Sequence, residues 1–408
     1  LDSKLEILHA DGGPVEQVVL QAVRDSWFTF RGKDSQQSDD FRLHNWMEME
    51  LDEYLYASGE VVKLWHYPRG PDSGFRVYPG EGPRHLFFGS TGVTHALGEP
   101  AWIVRSLPPG SQPPPNGLPT FRLPYVNDDE SGRRLGSDSQ ILFDPPADGD
   151  YVVRVTDVRG LGGGAQNDWR YTLHVRSANP SFEVAVGGRD PKVAPGSGRE
   201  ISFTLTRIEG FDGPVTISAK GLPPGFTFHG PAEIAGGQRQ ALVVLSAAAD
   251  AVAPGAEADA AVVLEASARI DGHDVVRPVG TLGDIHLTAA PKVTVEILPA
   301  DGRQPVAGSP VEFAIRPGET IVARVRAVRH DFNARIELGN DAAGRNLPHA
   351  VYVDNIGLNG LLIVEGQTER EFFITASPIA KACRRAFHLT TSADGGHASL
   401  PAVLTVVP

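Results

Sequence analysis

Period-two alternation of apolar and polar side chains, cut at short intervals by Gly, Pro, Asp or Asn, is the feature that most limits what this chain can fold into. It recurs in KLEIL (Lys4–Leu8), YVVRVTD (Tyr151–Asp157), YTLHVR (Tyr171–Arg176), EISFTLTR (Glu200–Arg207), PVTIS (Pro214–Ser218), ALVVL (Ala241–Leu245) and KVTVEIL (Lys292–Leu298). An extended chain sends successive side chains to opposite faces, so each stretch can bury one face and wet the other. The 45 Gly and 33 Pro supply the turns that such short strands need. The expected fold class is all-β, with sheets stacked as tandem β-sandwiches. Two stretches depart from the pattern. DDFRLHNWMEMELDEYLYASG (Asp39–Gly59) has room for a helix of a few turns. AAADAVAPGAEADAAVVLEASA is Ala-rich, but Pro254 and Gly255 interrupt it, so it reads as a long loop feeding a strand.

The second half repeats itself. APGSGREISFTLTRIEGFDGPVTI (Ala194–Ile217) lines up with RPGETIVARVRAVRHDFNARIEL (Arg316–Leu338). Pro195-Gly196 falls on Pro317-Gly318, Arg207 on Arg329, Phe211 on Phe332, and Val215/Ile217 on Ile336/Leu338. Further on, GGQRQALVVL (Gly236–Leu245) matches EGQTEREFFI (Glu365–Ile374), and Asp271-Gly272 matches Asp394-Gly395. Shared turns and strand phase in this order point to a duplicated sandwich.

At 408 residues the chain exceeds one ordinary core. The Trp and all but one of the Tyr precede Arg176, and after SANPSF (Ser177–Phe182) the composition shifts to Val, Ala, Gly and Pro. The expected division is 1–176, 177–290 and 291–408. The Pro-rich SLPPGSQPPPNGLPT (Ser106–Thr120) reads as the return from a mixed α+β insertion at about 24–122 in the first domain. A net charge of −13 argues against nucleic acid as a partner, because phosphate binding needs a basic surface. No apolar run of about 18 residues offers a membrane span. The chain opens LDSKLEILHADGGPV, without Met or a signal peptide, and reads as part of something larger.

In SQILFDPPADGDYVVRVTDVRGLGGGAQNDWRYTLHV, Ile141 and Phe143 end one strand and Pro145-Pro146 stop its ladder. Asp148-Gly149 is a turn dipeptide. Tyr151, Val153 and Val155 then face inward, and Trp169, Tyr171, Leu173 and Val175 return. The aspartates at 144, 148, 150 and 157 fall at strand ends, where turn chemistry accounts for them. NDDESGRRLGSDSQILFDPPADGDYVVRVTD, its Gly-rich loop and WRYTLHV resemble the bacterial pre-peptidase C-terminal domain, and LDSKLEILHADGGPV resembles an earlier strand pair of it. The resemblance covers Leu1–Val23 and roughly Tyr125–Arg176. It implies a compact, jelly-roll-like sandwich of exported proteins that binds substrate or matrix, with calcium in some relatives. The usual opening strands are absent, and about a hundred residues intervene where a short link is expected. GFDGPVTISAKGLPPGF and RNLPHAVYVDNIGLNGLLIVEGQTEREFFIT resemble immunoglobulin-like modules of large exported bacterial proteins, which implies architecture and export but no reaction.

Candidate chemistry is sparse. Asp128, Asp129, Glu130 and Asp138 could share a hard cation such as calcium or form a solvated acidic loop, and no EF-hand spacing decides between them. Trp46, Trp65, Tyr67, Arg69, Asp72 and Tyr78 combine apolar faces with polar groups, as sugar or peptide grooves do, or else form the insertion's own core. GPDSGF (Gly70–Phe75) is no serine-nucleophile turn, because Pro71 precedes the Asp and Phe75 occupies the position of the second glycine. His44, His66, His85 and His95 share the insertion, but HALGE (His95–Glu99) has no zinc spacing. GLGGG (Gly160–Gly164) joins two strands and opens no helix, so it is no phosphate cradle. Cys383, the single cysteine, excludes an internal disulfide and reads as a partly buried structural thiol despite Arg384-Arg385.

The sequence therefore favours a non-catalytic extracellular or cell-envelope binding or scaffold module. Its partner would be a polysaccharide, a protein matrix or a neighbouring domain, and calcium is the one cofactor to test. The alternative is an enzyme with its site in the insertion, either a hydrolase using Asp39, Asp40, Glu48, Glu50 or Asp72 or a metal-dependent one; two inward carboxylates about 5–9 Å apart in a cleft would favour glycoside hydrolysis.

Overall fold

The computed structural model describes residues 2–408 except 33, 69–72, 131–134, 159–169, 304, 305, 307, 341, 342, 355 and 358. The fold is all-β, and the chain divides into two compact units, Leu1–Ala178 and Asn179–Pro408.

In the first unit the strands are β1 (Ser3–His9), β2 (Glu16–Trp27), β3 (Tyr54–Ala57), β4 (Glu60–His66), β5 (Arg76–Val77), β6 (Pro100–Leu107), β7 (Thr120–Pro124), β8 (Val126–Asn127) and β9 (Tyr151–Asp157). They form one sheet ordered β8-β1-β9 and another ordered β5-β4-β3-β6-β2-β7. The chain passes between the sheets at Val15 and Tyr125, whose backbones pair with each other and with Ile7. Ile7, Val15 and Tyr125 are buried there, with Phe143, Tyr151 and Val153 packed on them. Val18, Leu20, Ala22, Val61 and Val104 make the core on one face of the larger sheet.

Four expectations change in detail. Positions 24 and 122, taken as the ends of an insertion, fall inside β2 and β7, which pair with each other through Val19↔Arg122. The helix expected in Asp39–Gly59 reduces to the 3-10 turn Trp46–Glu48, because Asn45 and Asp52 take left-handed backbone and Phe41 and Leu43 bury alternate side chains. Residues 171–176 alternate as a strand should, yet Tyr171, Leu173 and Val175 are exposed and unpaired. Alternation supplies a face, but a strand also needs a neighbour to pair with and a core to cover. Ile141 and Phe143 likewise pack on the core without entering a ladder, and Trp169 lies outside the described residues.

The second unit opens with β10 (Ser181–Gly187), β11 (Lys192–Val193), β12 (Gly198–Ile208), β13 (Val215–Lys220), β14 (Phe226–Phe228), β15 (Ala232–Ile234), β16 (Gln240–Ala247), β17 (Val263–Ile270), β18 (His273–Gly280) and β19 (His286–Leu287). A short helix, Ala256–Ala260, interrupts the Ala-rich loop before β17. Sheet β10-β12-β16-β14 packs on sheet β15-β13-β17-β18 around Phe182, Phe203, Leu205, Ile217, Leu245 and Leu264. Next come β20 (Val293–Pro299), β21 (Glu312–Ile315), β22 (Thr320–Arg329), β23 (Ile336–Glu337), β24 (Val351–Asp354), β25 (Leu362–Ile363), β26 (Glu369–Ala376), β27 (Cys383–Phe387), β28 (Thr390–Thr391), β29 (His397–Ala398) and β30 (Ala402–Val406).

The sheet β20-β22-β26-β24 reproduces β10-β12-β16-β14 strand for strand. Registers agree as well: Thr204↔Gln240 corresponds to Arg326↔Glu369, and Val215↔Ile234 to Ile336↔Ile363. Gly196 and Gly318, both at positive φ, donate to the carbonyls of Ala247 and Ala376 at matching positions. The repeated arginines act alike. Arg207 donates to the carbonyls of Gly213, Ala235 and Gln238 at 2.7, 2.8 and 3.2 Å. Arg329 donates to those of Ala334, Val364 and Gln367 at 2.8, 3.3 and 3.0 Å. Each guanidinium pins the same two turns of its own sandwich.

Candidate functional site

Among the described residues singled out from the sequence, Trp65 and Tyr78 come together. Tyr78 is buried among Trp65, His85 and Phe87, with ring centroids 5.4, 5.5 and 5.8 Å away. Tyr67 lies 6.0 Å from Phe75, and Trp46 opens the 3-10 turn, half-buried. Arg69 and Asp72 lie outside the described residues, as do Gly70 and Pro71. Of the hydrolase acids that are described, Asp39, Glu48 and Glu50 are exposed, while Asp40 is buried against Arg42 at 2.6 Å.

The acidic loop is held by amides. Asn127 donates to the Asp129 carbonyl at 2.6 Å and accepts from the Gln140 amide at 2.8 Å. Glu130 is buried and its amide meets the Asp138 carbonyl at 3.1 Å, whereas Asp128 is half-buried and Asp138 exposed. Among the described residues no three His, Cys, Asp or Glu side chains are placed to share a metal ion. The histidines disperse: His44 stacks on Trp27 at 3.7 Å, His85 packs on Tyr78, His66 lies on β4, and His95 bonds Glu99 at 2.9 Å. Gly160–Gly164 lies outside the described residues. Cys383 is half-buried, and burial raises its pKa against the opposing charge of Arg385.

A different group of charges converges within the second unit, where its two sandwiches meet. β12 presents Glu200 on the face opposite Ile201, Phe203 and Leu205, which fill the first sandwich's core. Arg345, from the loop before β24, grips that carboxylate with two bonds, Nη2 to Oε1 at 2.7 Å and Nε to Oε2 at 2.9 Å. His388 Nε2 lies 2.7 Å from Oε2, and the backbones of Arg345 and His388 pair with each other. Burial pushes the Glu200 carboxyl up, but Arg345 and His388 outweigh it and hold it at about 2.

Further links surround this clasp. The Leu242 amide donates to Asn346 Oδ1 at 3.0 Å, and Arg385 reaches Gln238 Oε1 at 2.9 Å and the Glu233 carbonyl. Arg199 donates to the Gly396 carbonyl at 2.9 Å, and Gly198 of β12 pairs with Ala398 of β29. His229, whose Nε2 lies 2.8 Å from Ser246 Oγ, has its pKa lowered by burial and then by His388. The chemistry on offer is fixation: Glu200 is spoken for on both oxygens.

Sequence reasoning did not find these residues, although one signal was present. ALVVL, expected to alternate, is in fact apolar at every position, the mark of a strand buried on both faces. Val243 and Leu245 enter the core, and Leu242 and Val244 are buried on the opposite side. The repeat-equivalent EREFFIT alternates and is partly wet.

No family model matches the chain, and no curated protein matches it. Solved structures similar in part include domains 4 and 5 of the S-layer protein SbsC, at 12% identity over 57% of this chain and 100% of that one, TM-score 0.18. The D00-D0 domain of intimin matches at 10% identity over 56% and 100%, TM-score 0.19. Fibronectin(III)-like modules of CbhA from Clostridium thermocellum match at 15% identity over 55% and 92%, TM-score 0.16. With TM-scores this low the likenesses carry no weight of their own, and the fold rests on the sheets and registers described above.

Proposed function

We propose that the chain is a non-catalytic module of an extracellular or cell-envelope protein, and that its second unit is a stiffened pair of immunoglobulin-like sandwiches that fixes the spacing of what it joins. The observation that supports this reading is the Glu200–Arg345–His388 clasp. A carboxylate taken from water and met by a bidentate guanidinium has one low-energy arrangement, so the joint it spans resists bending. Exposed linkers leave domain pairs mobile, whereas here β12, β16 and the 235–238 turn are all engaged by the following sandwich. Polymer binding and the pre-peptidase-like character of the first unit belong to the same reading and rest on the sequence resemblance.

The test is a distance distribution between nitroxides on Glu183→Cys and Asp331→Cys, both exposed, in a Cys383→Ser background. A narrow distribution that broadens in Arg345→Met is expected. A broad distribution with Arg345 intact refutes the stiff-joint reading.

A further inference from the structure

The first unit contains a buried ionic relay that the scaffold reading leaves unused. Glu60 of β4 is 1% exposed, and Arg84 and His95 are each 3% exposed. Glu60 Oε2 accepts from Arg84 Nη2 and from the Val93 amide, both at 2.7 Å, and lies 3.5 Å from His95 Nε2. His95 Nδ1 stands 2.9 Å from Glu99 Oε1, which also accepts from Ser58 Oγ at 2.6 Å. The Ala96 amide donates to Glu99 Oε2 at 2.8 Å. Two carboxylates thus bracket one imidazole, and among the described residues one guanidinium joins the cluster and offsets one of them. Buried charges persist when they are neutralised, so the balance calls for an imidazolium at His95.

The relay holds loops that have little secondary structure of their own. The Gly32 amide donates to the His95 carbonyl at 2.9 Å, and Arg84 Nη1 reaches the Asp34 and Gln37 carbonyls at 3.1 and 3.3 Å. Phe28 stacks flat on the His95 ring at 4.2 Å, and its backbone pairs with Gly98 and Glu99. Next to it Trp27 and Phe30 are exposed, one stacked on His44 and the other under the Arg42 guanidinium at 4.4 Å. The charged groups around the imidazole are Glu60 from β4, Glu99 from the turn before β6 and Arg84 from the loop after β5. Asp40 and Arg42, paired with each other, flank Phe41, whose ring meets His95 edge-on at 5.8 Å.

We propose that His95 is a proton-operated brace: as an imidazolium it ties Glu60 to Glu99 and fixes loops 28–32 and 84–99, and on deprotonation it releases them with the exposed Trp27–Phe30 surface they carry. Burial opposes the charge on His95, but Glu60 and Glu99 outweigh it and raise the pKa above its ordinary 6.5. The stabilisation is complete below 6.5 and is lost as pH rises through the raised value.

Hydrogen exchange of the whole chain between pH 6 and 9, corrected for intrinsic rates, reads the release. The opening equilibrium of peptides covering Gly32, Val93 and Gly98 is expected to rise up to about tenfold per pH unit between the ordinary and the raised pKa, then level off. In His95→Gln that step disappears. An identical step in His95→Gln overturns the proposal. Should that variant fail to fold, imidazole NMR of the unaltered chain decides: titration of His95 above 6.5 supports the brace, and titration at or below 6.5 refutes it.

Discussion

Arg345→Met is the perturbation that most directly tests the joint. It keeps much of the side chain's length and removes the guanidinium that meets both oxygens of Glu200. The Glu200 carboxyl, held at about 2 against an ordinary 4.5, carries roughly 2.5 pH units of preferential stabilisation, worth about 3 kcal/mol at neutral pH. Its side chain is 20% exposed and that of Arg345 23%, so solvent weakens the pair somewhat, and His388 stays behind as a second partner. A loss of about 2 kcal/mol is therefore expected for opening the joint. Hydrogen exchange of β12 and of the loop preceding β24 reads that opening. The pH dependence carries a definite sign. A depressed carboxyl stabilises fully above 4.5 and loses its effect as pH falls toward about 2, so the gap between the two proteins should shrink across that window. A gap below about 0.5 kcal/mol at pH 7, or one unchanged down to pH 3, would refute the reasoning, since exposed pairs contribute only about that much.

Four further outcomes are expected. Arg207→Ala should destabilise the first sandwich of the second unit by about 2–4 kcal/mol in calorimetry, by stranding the carbonyls of Gly213, Ala235 and Gln238. Arg329→Ala should cost the second sandwich less, about 1 kcal/mol, because the carbonyls it binds stay open to water, and no change in either variant would mean the shared geometry is incidental. Gly80→Ala should lower the melting temperature of the first unit by several degrees, because the added methyl overlaps the Trp65 indole at a backbone φ of +93°. A melt in calcium against chelator tests the acidic loop: a rise of several degrees that Asp128→Asn abolishes is the outcome expected of a shared ion, and an unmoved melting temperature rejects calcium there.

Much of the fold was legible before any coordinates. Lys4–Leu8, Tyr151–Asp157, Glu200–Arg207 and Lys292–Leu298 all lie in or overlap strands, because alternation and turn residues are local properties. Tyr171–Arg176 shows the limit of that logic: the same alternation stays exposed without a strand beside it. Asp39–Gly59 shows another, since left-handed backbone at Asn45 and Asp52 bends a stretch of good helix formers into loops and a strand. The clasp was harder to foresee. ALVVL signalled a doubly covered strand, but nothing local in it named Arg345 or His388 as part of the cover.

What the sequence determined by itself is the β character, the duplication and the repeated arginine anchors, all of which follow from spacing along the chain. What only the tertiary structure decided is which outer face the next sandwich covers, and so which acid loses its water. Glu200 stands 145 residues from Arg345 and 188 from His388. An ionisable side chain's environment is set by the groups that packing brings within a few ångströms, and over such separations packing alone makes that choice.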